Sequence, residues 1–148
     1  MGNATTSFSQ TAVESLDLTE RGLRLEALQQ IHTNFKEKRI TFAKDQKDLS
    51  PGERLVYGFV KPATEEKKWS YASQLYHDPS TRELVGKCTT FVSHPWFTDF
   101  KVTLAAICEY EKTLPRDAPT QSYFVDYFVV NQHKPTADLK QLGDLVES

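Results

Sequence analysis

Two apolar runs in the second half of the chain each end abruptly in polar side chains. The first run covers residues 88–93 and is followed by His94, and the second covers residues 123–130 and is followed by Asn131. Apolar, β-branched and aromatic residues occupy both faces of the first run, which is typical of a strand covered on both sides. Each run is therefore predicted to form a strand.

The segment between the two runs has helical spacing. Its apolar positions are Phe97, Phe100, Val102, Leu104, Ile107 and Cys108, and Pro115 marks its end. A strand, a helix and a second strand in this order predict a parallel pair with a right-handed crossover. The polar ends of both strands then lie at one sheet edge, where open α/β proteins bind ligands and partners.

The first half of the chain is predicted to be helical. Residues 18–35 have helical spacing with Thr19 as a cap, and their apolar positions are Leu25, Leu28, Ile31, His32 and Phe35. Ser50-Pro51-Gly52-Glu53 has a capping serine, a proline at the first helical position and a glutamate three residues after the cap, which predicts a helix that continues to Phe59 and ends near Pro62.

Two further helices and a connector complete the predicted elements. Thr64 caps a helix whose apolar side is Trp69, Ala72, Leu75 and Tyr76, and residues 77–80 form a turn after it. Residues 40–49 form a charged connector. The last helix, at residues 136–146, directs Leu139, Leu142, Leu145 and Val146 inward.

These elements predict an α/β protein in three parts: a flexible N-terminus at residues 1–17, a helical region at 18–85 that packs on the sheet, and a partial β-α-β-α unit at 86–148. Two parallel strands cannot cover their own edges. Either further strands lie in the first half, or a partner completes the sheet, or the chain is a fragment. The sequence favours a fragment.

Composition and charge narrow the class of protein. Hydrophobic residues make up 39% of the 148 positions, and the net charge is −2 with no segregation of sign along the chain. This balance argues against a protein that binds nucleic acid by neutralising phosphates. The two cysteines, Cys88 and Cys108, fit neither a disulfide framework nor a zinc site and are interpreted as small buried residues of a cytoplasmic protein.

The N-terminus matches the pattern for N-myristoylation. Met1-Gly2-Asn3-Ala4-Thr5-Thr6 places Gly2 after the methionine and a hydroxyl at Thr6. One acyl chain gives only weak, reversible membrane attachment, and no polybasic cluster follows to strengthen it. Gly2 is thus a predicted lipidation site, with a plain flexible N-terminus as the alternative.

Several segments together resemble a known family. They are Val60-Lys61-Pro62-Ala63-Thr64, Ser70-Tyr71, Val85-Gly86-Lys87-Cys88-Thr89-Thr90-Phe91-Val92-Ser93-His94-Pro95-Trp96, Phe100, Tyr123-Phe124-Val125-Asp126-Tyr127-Phe128 and Asn131-Gln132-His133. Over residues 60–134 the chain resembles protist and algal proteins that carry a phrase like "FVSHAW…F…D.F..NQH". The module looks like a divergent relative of TIR domains, which have a flavodoxin-like α/β fold.

The resemblance implies a signalling module that associates with itself or with a protein partner through strand-end loops. In TIR-like enzymes that cleave NAD, the catalytic glutamate lies on a later helix, usually beside a tryptophan–cysteine pair. No tryptophan follows Trp96, and Glu109 and Glu111 lie on the first helix of the unit. The resemblance therefore implies a non-catalytic part. The alternative is a part of an NAD-cleaving or nucleotide-binding enzyme whose catalytic half lies outside this chain.

The candidate binding residues form one predicted cluster at the sheet edge: Ser93, His94, Trp96, Asp126, Asn131, Gln132 and His133. Three roles are open for them. Ser93, His94, Asp126 and His133 include the residue types of a hydrolase triad, but Ser93 and His94, adjacent on a strand, point to opposite faces and no Gly-x-Ser-x-Gly elbow is present. His94, Asp126 and His133 could hold a metal.

The third role is structural, and the sequence favours it over the metal site. In this interpretation Ser93 and His94 cap the following helix, while Asp126 and residues 131–133 tie loop backbones together. The glycines are scattered and form no phosphate-binding loop, so no cofactor is predicted.

Overall fold

The computed structural model describes residues 14–40, 42 and 48–147. Its strands are β1 (Gly22–Leu23), β2 (Val85–Gly86), β3 (Thr90–Phe91) and β4 (Tyr123–Phe124). Its helices are α1 (Leu25–Glu37), α2 (Pro51–Leu55), a π-helical stretch (Val56–Val60), α3 (Lys61–Ala63), α4 (Tyr71–His77), α5 (Phe100–Thr113), α6 (Asp126–Val129) and α7 (Pro135–Glu147). Short 3-10 turns cover Leu18–Glu20 and Arg82–Leu84. The predicted lipidation site at Gly2 and most of the predicted connector at 40–49 lie outside the described residues.

The four strands form one mixed sheet in the order β2-β1-β4-β3. β3 and β4 are parallel, with Thr90 opposite Tyr123, and α5 lies between them in the chain. β1 is antiparallel to both of its neighbours. The predicted α/β class and the parallel pair are confirmed.

One central strand of the sheet, β1, lies in the region that was predicted to be helical. β1 lies inside the predicted helix at 18–35, and α1 begins only at Leu25. A Cβ at Gly22 would lie 2.8 Å from the Gly86 carbonyl oxygen and 2.8 Å from Ser122 Cβ. Glycine is needed there because the backbones approach closely. Of the three options for completing the sheet, the structure therefore shows further strands in the first half.

Both strands predicted in the second half are shorter than expected. Of residues 123–130, only Tyr123–Phe124 is a strand, and Asp126–Val129 forms a helical turn. Of residues 88–93, only Thr90–Phe91 is a strand. β3 lies at an edge of the sheet and Phe91 is 54% exposed, so the prediction of a covered strand is wrong.

Helix starts follow local capping chemistry. The capping box at Ser50 and Glu53 is confirmed, with hydrogen bonds of 3.0 and 3.2 Å. The predicted cap at Thr64 is wrong, because the next helix begins at Tyr71 with Ser70 as its cap. Asp99 caps α5, so Ser93 and His94 do not have the capping role that was expected.

The main core lies between the sheet and the helices. Its most buried members include Leu23, Leu28, Leu55, Val56, Val60, Ala72, Val125, Tyr127 and Phe128. A smaller cluster of Leu18, Phe124, Val129 and Val130 receives Leu142 from α7. The prediction that Leu139 and Leu145 point inward is wrong, since they are 53% and 45% exposed.

Candidate functional site

Asp126 holds the segment that follows β3 against the start of α6. Its Oδ1 lies 2.8 Å from His94 Nε2, and its Oδ2 accepts a hydrogen bond of 2.8 Å from Trp96 Nε1. The His94 side chain is 5% exposed and the Asp126 side chain 35%. An ionised carboxylate only accepts hydrogen bonds, so it selects the His94 tautomer that carries its proton on Nε2.

Aromatic rings surround this carboxylate centre. The Tyr127 ring is fully buried. Its centroid lies 4.4 Å from the centroid of the His94 ring, which it contacts edge-on, and 5.4 Å from that of Trp96. Burial raises the pKa of the Tyr127 hydroxyl, so the group stays neutral. Within the described residues, His94 Nδ1 and the Tyr127 hydroxyl are buried without a hydrogen-bond partner.

This arrangement does not form a hydrolase triad. Nε2 of His94 is occupied by Asp126 and Nδ1 has no partner in the described part of the chain, so Ser93 and His94 are not a nucleophile–base pair. A general base must also reach its substrate, and Nδ1 is shielded from the surface. The centre is therefore a clamp on the segment between β3 and α5.

Asn131 forms a second centre at the far end of α6. The residue is 4% exposed, and its Nδ2 donates to Glu14 Oε2 at 2.9 Å and to the Lys68 carbonyl at 2.8 Å. Glu14 also accepts from the backbone N–H of Ser70 at 2.7 Å. Glu14 falls in the segment predicted to be flexible, yet its carboxylate joins three parts of the chain.

His133 and Gln132 bond to two different partners. His133 Nε2 lies 2.8 Å from Thr64 Oγ1, whose hydroxyl donates to the Val60 carbonyl. Gln132 Nε2 donates to the Asp126 carbonyl at 3.1 Å. The single predicted cluster is thus two separate centres, and in the described part of the chain no three residues are grouped to hold a metal. The prediction that Asp126 and residues 131–133 tie loop backbones together is confirmed for Asn131 and Gln132. It is wrong for Asp126 and His133, whose side chains bond other side chains.

The burial of His133 predicts a pH dependence of stability. Desolvation lowers its pKa below the ordinary 6.5, with Glu65 opposing this shift and Lys68 and Lys61 adding to it. As pH falls, the unfolded chain takes up the proton first, so stability should decline from about pH 6.5 until folded His133 is protonated as well.

We expect His133→Gln to flatten this decline. The measurement is the urea midpoint of both proteins between pH 7.5 and pH 4.5. Parallel curves for the parent and His133→Gln would contradict the assignment.

Gly52 ties α2 to the clamped segment. Its N–H donates to the Trp96 carbonyl at 2.7 Å, and a Cβ on Gly52 would lie 2.7 Å from the same oxygen. We expect Gly52→Ala to lower the free energy of unfolding by about 2 kcal/mol through this clash. Gly143, in α7, has no atom within 4 Å of its Cβ position, so Gly143→Ala should instead stabilise by about 0.5 kcal/mol. Urea unfolding of both variants checks the pair, and an equal effect would contradict it.

Besides a cavity of about 300 Å³ that Trp96 and Asp126 themselves line, the outer edge of β3 is exposed, and the sequence interpretation missed this edge. The N–H groups of Thr90 and Val92 donate inward to the carbonyls of Ser122 and Phe124, at 3.2 and 3.0 Å. Among the described residues, no strand pairs with the opposite side of β3. One signal was present in the sequence, since residues 88–98 contain no lysine, arginine, aspartate or glutamate.

Two apolar cavities flank this edge. The larger, of about 420 Å³, lies between β3 and α5 and is lined by Phe91, Val102 and Tyr110 among others. The smaller, of about 310 Å³, lies between β3 and α7 and includes Leu142 and Leu145. Cys88 also lines it, and burial raises the pKa of this thiol to about 11, which keeps it protonated and unreactive.

Comparisons of the chain with protein-family models, with curated proteins and with solved structures found no match. None of the described helices is both long and apolar enough to cross a membrane.

Proposed function

We propose that the protein is an interaction module that binds an extended protein segment along the free edge of β3. The partner is a segment without charges whose apolar side chains alternate, so that its backbone pairs with β3 and its side chains enter the flanking cavities. This mode of recognition takes affinity from main-chain hydrogen bonds and specificity from pockets for alternate side chains.

The observation that carries the proposal is a short edge strand without charged residues. Soluble proteins commonly guard such edges with charged residues, above all lysine, because an open edge recruits other strands. Residues 88–98 carry no such charge, and Phe91 at the centre is 54% exposed. An open, uncharged edge is what a strand-binding surface requires.

The size of the exposed apolar patch agrees with a binding role. Phe91, Val102 and Tyr110 line the same cavity and are 54%, 54% and 42% exposed. With about 200 Å² for each aromatic side chain and somewhat less for valine, they expose on the order of 300 Å² together. Patches of this size on soluble proteins are often functional.

The Asp126 centre supports this surface without forming it. By fixing His94 and Trp96, the carboxylate holds the segment between β3 and α5 in one position. A surface that is ordered before binding loses less conformational entropy on association. The strand-end residues are therefore assigned to positioning, and the partner contacts are assigned to the edge itself.

The resemblance to TIR-like modules extends the proposal to signalling. The feature of the structure that supports this resemblance is the parallel pair β3 and β4 with α5 between them in the chain. The antiparallel strands β1 and β2 are a feature that the resemblance does not imply.

A selection from a displayed library of ten-residue peptides tests the proposal. We expect peptides with alternating apolar residues to be enriched on the full chain and to bind at least tenfold more weakly to Phe91→Lys. Leu139→Lys is the matched control, because Leu139 is equally exposed but lies at a different surface. N-methylation of alternate peptide residues should abolish binding, because the edge recognises the backbone. Binding that survives both Phe91→Lys and N-methylation would overturn the proposal.

A further inference from the structure

We infer that the cavity beside the Asp126 centre binds a small zwitterion, of which a free α-amino acid with an apolar side chain is the simplest. The cavity measures about 300 Å³, at the lower end of the range for small-molecule sites. It shares no lining residue with the two cavities that flank β3, so the inference stands independently of the proposed function.

The Asp126 carboxylate is suited to receive the ammonium group of the ligand. His94 Nε2 and Trp96 Nε1 each engage one of its two oxygens at 2.8 Å, and the side chain is 35% exposed. A carboxylate has about four acceptor positions, so each oxygen keeps one for a donor that enters the cavity. The two existing bonds hold the carboxylate in one orientation, which lowers the entropic cost of binding.

Lys61 supplies the opposite charge in the same lining. Its ammonium lies 5.6 Å from the centroid of the Tyr57 ring, which also lines the cavity. The Lys61 charge acts on Glu65, but Glu65 is paired with Lys68. Lys61 therefore has no ion-pair partner among the described residues and can receive the ligand carboxylate.

The two charges together define the class of ligand. A molecule with only an ammonium is attracted by Asp126 and repelled by Lys61, and a molecule with only a carboxylate meets the reverse. A zwitterion pairs with both. Val130 and Pro135 add apolar surface to the lining, which favours a ligand with an apolar side chain.

The backbone of one cavity wall has a rare geometry. Val56–Val60 is the π-helical stretch, and both Tyr57 on it and Lys61 directly after it line the cavity. Single π-helical turns are found frequently at functional sites. This geometry is a second observation, independent of the charges, that points to the same cavity.

The two tryptophans of the chain give a direct readout, because their indole N–H groups produce two NMR signals. The Trp96 N–H donates to Asp126 and should shift when a ligand reaches this carboxylate. Trp69 does not line the cavity, so its signal should stay in place, and Trp69→Phe assigns the two signals. We expect L-leucine, L-methionine or L-phenylalanine to shift the Trp96 signal saturably at micromolar to millimolar concentrations.

Two analogues of leucine separate the contributions of its charges. Isopentylamine lacks the carboxylate and isocaproic acid lacks the ammonium, so each should bind at least tenfold more weakly than leucine. Lys61→Met should weaken leucine binding at least tenfold without weakening that of isopentylamine. Lys112→Met removes an exposed lysine outside the cavity and is the matched control, which should bind leucine as the parent chain does.

Four results would overturn the inference. None of the three amino acids shifts the Trp96 signal saturably, or both indole signals shift together. Either analogue binds as tightly as leucine, or Lys61→Met binds leucine as the parent chain does. Because the test uses the intact Asp126 centre, it does not depend on a variant that is destabilised at this carboxylate.

Discussion

Replacement of Asp138 by alanine should lower the free energy of unfolding by about 3 kcal/mol, because it removes the closer of the two carboxylates that pair with a buried guanidinium. Arg21 is 3% exposed, and its Nη1 and Nη2 donate to Asp138 at 2.7 and 3.3 Å. Asp138 also accepts from the backbone N–H of Asn131 at 2.8 Å. The substitution therefore loosens α7, α6 and the N-terminal segment together.

Urea unfolding followed by circular dichroism measures this effect. Asp144→Ala, at an exposed position of the same helix, is the matched control and should change stability by less than about 0.5 kcal/mol. The double variant Arg21→Met with Asp138→Leu should lose less than Asp138→Ala alone, since it removes both charges from the interior. A loss below about 1 kcal/mol for Asp138→Ala would contradict the assignment of this ion pair.

Replacement of Asp126 by alanine should lower the free energy of unfolding by about 3 kcal/mol. The variant removes two hydrogen bonds to a carboxylate and leaves His94 Nε2 and Trp96 Nε1 without an acceptor, and each such loss is worth about 1.5–3 kcal/mol. The estimate lies at the low end of the sum because the carboxylate is 35% exposed and water can replace part of the contact.

Asp126→Ala also tests whether the carboxylate positions the β3 edge for binding. Because the segment after β3 loses its clamp, association at the edge should weaken even where the chain is fully folded. Asp117→Ala, an exposed carboxylate in the loop after α5, is the control for both measurements. An Asp126→Ala protein that keeps its stability and its association would show that the carboxylate does not hold this segment.

Sequence patterns predicted the elements whose signals are local. The capping box at Ser50 depends on residues three positions apart, and the spacing of α5 repeats over four turns. The strand β1 has only two residues, too few to show an alternating pattern, and Gly22 is explained only by the approach of Gly86 and Ser122. All residues of the run at 123–130 except Asp126 are buried, so the run has no periodicity that distinguishes a strand from a short helix.

The candidate site was predicted only in part, because some of its contacts join residues that are distant in the sequence. Asp126 and His94 were placed in one predicted cluster at the sheet edge, and they do bond each other, although Asp126 was assigned to the inside of a strand that in the structure ends before it. Asn131 and His133 instead bind Glu14 and Thr64, which are distant in the sequence and carry no motif that identifies them as partners. The exposure of β3 was missed because an edge strand and a central strand can have the same residues, and only the sheet order separates them.

Amide hydrogen exchange at Phe91, followed by NMR, tests the central claim most directly. In dilute protein the Phe91 N–H faces solvent and should exchange rapidly, whereas the N–H groups of Thr90 and Val92 are bonded to β4 and should be protected. When a selected peptide occupies the edge, protection of the Phe91 N–H should rise at least tenfold. Association without any change at Phe91 would contradict the account and place the contact elsewhere on the molecule.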